Sequence, residues 1–181
     1  MKQKSLAALD RPDVEYFRKQ AKHPIVLVLD NVRSALNVGS AFRTADGFAL
    51  ERIVLCGITA QPPHREITKT AIGATESVAW THREHTASVL EKLSQEGYRV
   101  YAVEQTDESV SLEKFSIEPT DRIALVLGNE VKGVSAAALK HCDGAIEVPQ
   151  FGTKHSFNVS VCAGIVCWEL VRQLLAAKEK D

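Results

Sequence analysis

Residues 148–170 read VPQFGTKHSFNVSVCAGIVCWEL, and the rest of the chain is best read outward from this stretch. It begins as the end of a strand: Ala145, Ile146, Glu147 and Val148 run into Pro149, which has no N–H to give to a central ladder. A turn-rich segment follows, with Gly152, Thr153, Lys154 and His155. Ser156 and Asn158 are residue types suited to a helix start. The next twelve positions are apolar almost all round, from Val159 through Val161, Ile165 and Trp168 to Leu170. A helix with no polar face is buried on more than one side, and in a small protein the second side is expected to be a subunit interface. A polar loop is therefore held between a core strand and a doubly buried helix, which is where a ligand site is expected.

Upstream, short apolar runs alternate with helical patterns. Residues 25–29, IVLVL, form a continuous apolar run typical of a strand covered on both faces. Further strands are expected at 52–56, 77–81, 98–103 and 122–127, and one near Ile146. Helices are expected over 11–20, with Asp10 as cap and Pro12 in the first turn, and from about Val38 to Gly47. Two more cover 84–96, ended by Gly97, and 135–141, capped by Ser135. Residues 57–70 and 106–121 read as loops. Strands separated by helices argue for an α/β fold with a mainly parallel sheet. The whole chain, 1–181, reads as one domain, with residues 1–22 a short helical extension. Ligands of such sheets bind beyond the carboxyl ends of the strands. Three polar loops fall there, after Leu29, after Leu127 and after Val148.

Composition bounds the chemistry. The 181 residues are 45% apolar and 25% charged, with a net charge of −1, so any nucleic-acid footprint must be local. Cys56, Cys142, Cys162 and Cys167 form no Cys-x-x-Cys pair and are expected to be reduced and buried, as in a cytoplasmic protein. The first residues carry no secretory signal pattern, and no run of about 18 uninterrupted apolar residues suggests a membrane span. His82 and His85, three apart on an expected helix, lack a third ligand, so no metal site is expected.

The first loop carries Asn31, Arg33, Asn37 and Arg43; the six-residue step from Asn37 to Arg43 through a helix start is read as bringing both toward one site. The arginine fork suits phosphate, although a solvated helix start explains the same residues. In the second loop, GNEVKG at 128–133, the glycines let a ligand approach the backbone, and Glu130 is placed to accept hydrogen bonds or to orient an arginine. Neither dinucleotide nor P-loop spacing is present, and a plain strand-to-helix turn is the simpler account of this loop alone. Ser156, Asn158 and Ser160 of the third loop are ordinary capping residues when taken singly. Ser156 has no G-x-S-x-G context for a hydrolase. His64, Arg65, Lys69, Arg83, Lys132, Lys154 and His155 are the residues available for local basic patches.

Taken together, NVRSALNVGSAFRT (31–44), LVLGNEVKG (125–133) and VPQFGTKHSFNVS (148–160) resemble the three motifs of the SpoU/TrmH family of SPOUT RNA 2'-O-methyltransferases, in the family's order. The resemblance implies a Rossmann-like sheet with a C-terminal deep trefoil knot, an exception to the rule against threaded chains. It implies S-adenosylmethionine as cofactor and a homodimer through the knot region and the last helix. The family's cofactor-binding positions fall on Leu127, Gly128, Ile146, Val148, Pro149, Phe157 and Asn158, with Val103 and Glu104 bordering the pocket. Its active-site residues fall on Asn37, Arg43, Glu130, Ser156 and Asn158. The chain departs from the family in having Phe157 between the third-motif Ser and Asn, and Gln150 after the Pro. Both changes alter pocket shape and neither removes a polar group.

The implied reaction is methyl transfer to a ribose 2'-hydroxyl. Arg43 is read as a phosphate clamp rather than a base, because a guanidinium with a pKa above about 12 gives up a proton only at high cost. With about 24 residues before its first strand, the chain looks more like the family's tRNA enzymes, which act on a D-loop guanosine, than like its ribosomal members. The other readings are a ribosomal RNA target, a catalytically inactive knotted RNA-binding protein, and an ordinary nucleotide-binding oxidoreductase. The last is disfavoured because no G-x-G-x-x-G follows Leu29.

Overall fold

Strand β1 (His23–Asp30) is fully buried from Ile25 onward, and its side chains go alternately to two different cores. The computed structural model describes residues 1, 3–5, 7–9 and 11–178. Ile25, Leu27 and Leu29 face a core shared with α1 (Val14–Lys19), α2 (Ala35–Gly47), α3 (Arg65–Ala71), α4 (Ala74–Ser77) and α7 (Val159–Lys178). Val26 and Val28 face a second core, filled by Leu90 and Leu93 of α5 (Thr86–Gln95) and Ala138 of α6 (Ala136–Leu139). The continuous apolar run in the sequence is thus the middle layer of an α–β–α sandwich.

The strands β2 (Leu50–Cys56), β3 (Trp80–Arg83), β4 (Arg99–Val103), β5 (Val110–Ser111), β6 (Ile123–Leu127) and β7 (Gly144–Glu147) complete a seven-stranded sheet in the order β3-β2-β1-β6-β4-β7-β5. Every pairing is parallel. The last strands interleave with earlier ones. The chain passes from β4 to the edge at β5, returns to insert β6 between β1 and β4, then inserts β7 between β4 and β5.

Several elements differ from the sequence expectation. The first helix begins at Val14 behind Asp13, whose side chain caps it, so Pro12 precedes the helix; Asp10 lies outside the described residues. Helix α2 starts three residues earlier than expected, at Ala35, because Ser34 accepts from the Asn37 N–H. Residues 65–71, read as loop, form α3 with His64 as cap, driven by burial of Ile67 and Ala71 on one face. The third strand is Trp80–Arg83 rather than 77–81, because Ser77 ends α4. His82 is on β3 and His85 precedes α5, so the pair does not share a helix. No group that would hold a metal ion occurs among the described residues. Helix α7 is long and apolar enough by composition to cross a membrane. Its apolarity is explained by packing, since Val166, Cys167, Leu170, Val171 and Leu174 are buried in the core.

Candidate active site

The three loops meet through one carboxylate and two amides. Glu130 Oε2 accepts from the Arg33 N–H and Oε1 from the Ser34 N–H, both at 2.9 Å, just before α2. Oε1 also accepts from Asn37 Nδ2 at 3.0 Å. An acidic group at a helix N-terminus is stabilised by the unpaired N–H groups and the helix dipole. Burial pushes the Glu130 carboxyl up, but these donors outweigh burial and hold it below its ordinary value. Asn37 Oδ1 in turn accepts from Asn158 Nδ2 at 3.2 Å. Asn158 Oδ1 accepts from the Ser160 N–H at 3.0 Å and the Val161 N–H at 3.4 Å, so this residue caps α7.

The second loop is folded tightly enough to demand its glycines. Asn129 and Gly133 exchange backbone hydrogen bonds at 3.0 and 2.9 Å. A Cβ on Gly128 would lie 2.1 Å from the Gly133 carbonyl carbon. Gly133 has φ of +67°, and a Cβ there would lie 2.2 Å from Glu104 Oε2. Glu104, at the end of β4, accepts from the Val134 N–H at 3.0 Å and so holds the loop's exit. Asn129 Nδ2 donates to the Asn31 carbonyl at 2.8 Å, a second tie to the first loop. Gln105 Nε2 donates to the His155 carbonyl at 3.0 Å and pins the third loop. Asn129 and Gln105 were not singled out from sequence; the signal for Asn129 was its place between Gly128 and Glu130.

Beyond the carboxyl ends of β4, β6 and β7 these loops enclose a cavity of about 380 Å³. That position is the one expected for a ligand of an open parallel sheet, and the volume suits a small molecule. Val103, Leu127, Ile146, Val148 and Phe157 give it apolar walls. Glu104, Glu130 and Glu147 line it as well, and among the described residues no Lys, Arg or His does. The field inside therefore favours a positively charged group. Buried Asp30 shores up the neighbouring strand end, accepting from Thr86 Oγ1 at 2.5 Å and the Ser135 N–H at 2.8 Å.

Most of the expected site residues converge here, and Pro149 and Arg43 lie apart from them. Asn37, Glu130 and Asn158 form one hydrogen-bonded chain, and Ser156 lines the cavity without capping α7. Pro149 is absent from the lining, although its neighbours Val148 and Gln150 are present. Arg43 does not join Asn37: six residues along α2 turn it by about 240° and carry it about 9 Å down the axis. It lines a separate cleft with Ser40, Thr44 and Lys69. Of the roles expected for Glu130 the structure displays the hydrogen-bond acceptor: the donors on its oxygens come from Arg33, Ser34 and Asn37, and not from the Arg43 guanidinium.

The model of the SpoU rRNA Methylase family matches residues 24–168, which contain all three motif loops. The chain belongs to that family. A curated relative is the 23S rRNA (guanosine-2'-O-)-methyltransferase RlmB of Neisseria meningitidis serogroup B, 31% identical over 157 residues that cover 87% of this chain and 62% of the relative. The chain thus spans about three-fifths of that relative's length. Among solved structures, the TrmH/SpoU tRNA modifying enzyme of A. aeolicus is 26% identical with a TM-score of 0.78, over 92% of this chain and 81% of that one. The AdoMet-bound rRNA methyltransferase of Sinorhizobium meliloti is 25% identical with a TM-score of 0.77, over 87% of this chain and 60% of that one. The expected α/β fold and the family resemblance drawn from the three motifs are both borne out.

Proposed function

We propose that the chain transfers a methyl group from S-adenosylmethionine to a ribose 2'-hydroxyl of RNA. The observation that carries this reading is the Glu130–Asn37–Asn158 chain at the rim of a cavity beyond three parallel strand ends. The cavity fits the cofactor, with apolar walls for a planar ring, three carboxylates to favour a cation and, among the described residues, no basic side chain. When bound, S-adenosylmethionine supplies an electrophilic methyl group on a positively charged sulfur. Gly128 and residues 146–148 let a ligand lie against the backbone, and Phe157 offers a ring face for stacking. Asn37, Glu130 and Asn158 keep the loops from moving relative to one another, so that the 2'-hydroxyl meets the methyl group in line. Arg43 holds a substrate phosphate and stabilises charge from its own cleft. The hydroxyl proton leaves with the help of the RNA phosphate rather than of the guanidinium.

A ribosomal guanosine is the first choice of substrate, supported by the curated 23S rRNA relatives. A tRNA guanosine is the second, supported by the coverage shared with the A. aeolicus tRNA modifying enzyme. The same reading includes a single domain, a trefoil knot, a cytoplasmic location and a homodimer. Interleaving of β6 and β7 with β4 and β5 supports the knot. Val161, Trp168 and Leu175 support the dimer, since they lie seven apart on α7 and remain exposed. The test is incubation with labelled S-adenosylmethionine and separated tRNA and rRNA, followed by nucleoside mapping. Label as 2'-O-methylguanosine is the expected result, and its RNA fraction picks the substrate. A protein that binds the cofactor but labels neither RNA would point to a target outside both fractions, and one that labels neither and binds no cofactor would favour the inactive RNA-binding reading.

A further inference from the structure

Helices α2 and α3 approach so closely that a Cβ on Gly39 would lie 2.0 Å from Thr70 Oγ1 and 2.6 Å from the Ile67 carbonyl oxygen. Thr70 Oγ1 donates to the Leu36 carbonyl at 3.1 Å and fixes that approach. Gly39 and Arg43 are one turn apart on α2, and Lys69 is the neighbour of Thr70 on α3. The crossing therefore places both cations on one cleft of about 580 Å³, lined also by Ser40, Thr44 and Gly164. Among the described residues, no carboxylate lines it. Asp46, the acid nearest along α2, is instead hydrogen-bonded by the Ser77 hydroxyl toward α4. Among the described residues, neither Arg43 nor Lys69 makes an ion pair, whereas Arg52, Arg99, Arg122 and Arg172 each do.

Two uncompensated cations on one concave surface repel each other and concentrate positive potential there, which an anion relieves. We propose that Lys69 is the second arm of a clamp that, with Arg43, holds one phosphodiester of the RNA. This rests on the RNA methyltransferase reading and adds to it a positioning residue outside the three motif loops. The cleft lies about 9 Å from Asn37 along the axis of α2 and on another face of that helix, so a phosphate held there anchors the RNA beside the three-loop cavity rather than in it.

The test is anisotropy of a labelled single-stranded RNA with the intact protein, without cofactor, across a range of salt concentrations. Lys69→Gln is expected to weaken binding about three- to tenfold and to lower the slope of log K against log salt by about 0.7, with Lys69→Arg restoring both. Lys69 is exposed, so its replacement leaves the fold intact. Because one phosphate is shared, Lys69→Gln is expected to add little in an Arg43→Gln background. Unchanged affinity and slope in Lys69→Gln, or full additivity of the two losses, would overturn the clamp. If that happens while the wild type still methylates RNA, only the clamp has failed. A Lys69-dependent salt slope in a protein that transfers no methyl group would support the clamp and count against the enzymatic reading.

Discussion

Asn37 Oδ1 accepts a hydrogen bond from Asn158 Nδ2 at 3.2 Å, joining residues 121 positions apart. Its own Nδ2 is spent on Glu130 at 3.0 Å, so one amide connects the start of α2, the turn after β6 and the start of α7. Asn37→Ala is expected to cost about 1–2 kcal/mol of stability, since it removes one charge-assisted and one neutral hydrogen bond at a half-buried position. Methyl transfer is expected to fall further, by about a hundredfold, because the loops lose their common register. Thermal unfolding and single-turnover kinetics on the same preparation check both. A variant with wild-type turnover would remove Asn37 from the mechanism.

Glu130 carries a pH dependence of defined sign. Its carboxyl is pushed up by burial but held below its ordinary value overall by the Arg33, Ser34 and Glu130 N–H groups and by Asn37. The folded pKa is therefore below the unfolded one. The stabilisation is present above the unfolded value, about 4.3, and is lost as pH falls through the lowered folded value. Glu130→Gln lacks this titration. Urea midpoints of wild type and Glu130→Gln are expected to differ most near pH 7 and to converge toward pH 3. A gap that widens on acidification would contradict the hydrogen-bonding scheme.

Gly133 combines a φ of +67° with a Cβ position occupied by Glu104 Oε2. Gly133→Ala is expected to lose about 1–3 kcal/mol through strain and through displacement of Glu104 from the Val134 N–H. Because Glu104 lines the cavity, calorimetric binding of S-adenosylhomocysteine is expected to weaken as well. Strong binding with intact stability would show that the loop tolerates a different path.

Trp168 is half exposed and lies against Phe48, with ring centroids 6.0 Å apart. If α7 forms the dimer face, Trp168→Glu puts an unpaired charge at its centre, which an apolar interface does not tolerate. Sedimentation is expected to show a dimer for the wild type and a monomer for the variant. A wild-type monomer would leave the exposed stripe without its proposed partner.

The central sheet was readable because burial on both faces erases alternation. Residues 25–29 and 123–127 contain nothing but apolar side chains, and both are central strands. Helix α3 was missed because Pro62-Pro63 and the polar residues His64, Arg65, Glu66 and Lys69 hide its two buried positions, Ile67 and Ala71. Their i, i+4 spacing was the available signal. The motif residues Asn37, Glu130 and Asn158 were recognisable by type, but their mutual contact depends on tertiary closure of three loops and has no local signature. Arg43 shows the opposite error. Proximity in sequence was read as proximity in space, whereas a regular helix from Ala35 onward sends residues 37 and 43 to different faces.

The interleaved strand order has a consequence for how the chain folds. Among the described residues, β6 is the strand that pairs with both β1 and β4 and so joins the β1–β2–β3 half of the sheet to the rest. Until residues 123–127 have emerged from the ribosome, β1 has an open edge and no strand pairing joins the two halves. The N-terminal two-thirds is therefore a template awaiting its keystone, vulnerable to edge-to-edge association during synthesis. Sequence-distant pairing of this kind slows folding, so a nascent chain stalled before β6 is expected to be protease-sensitive and one released after α7 to be protected.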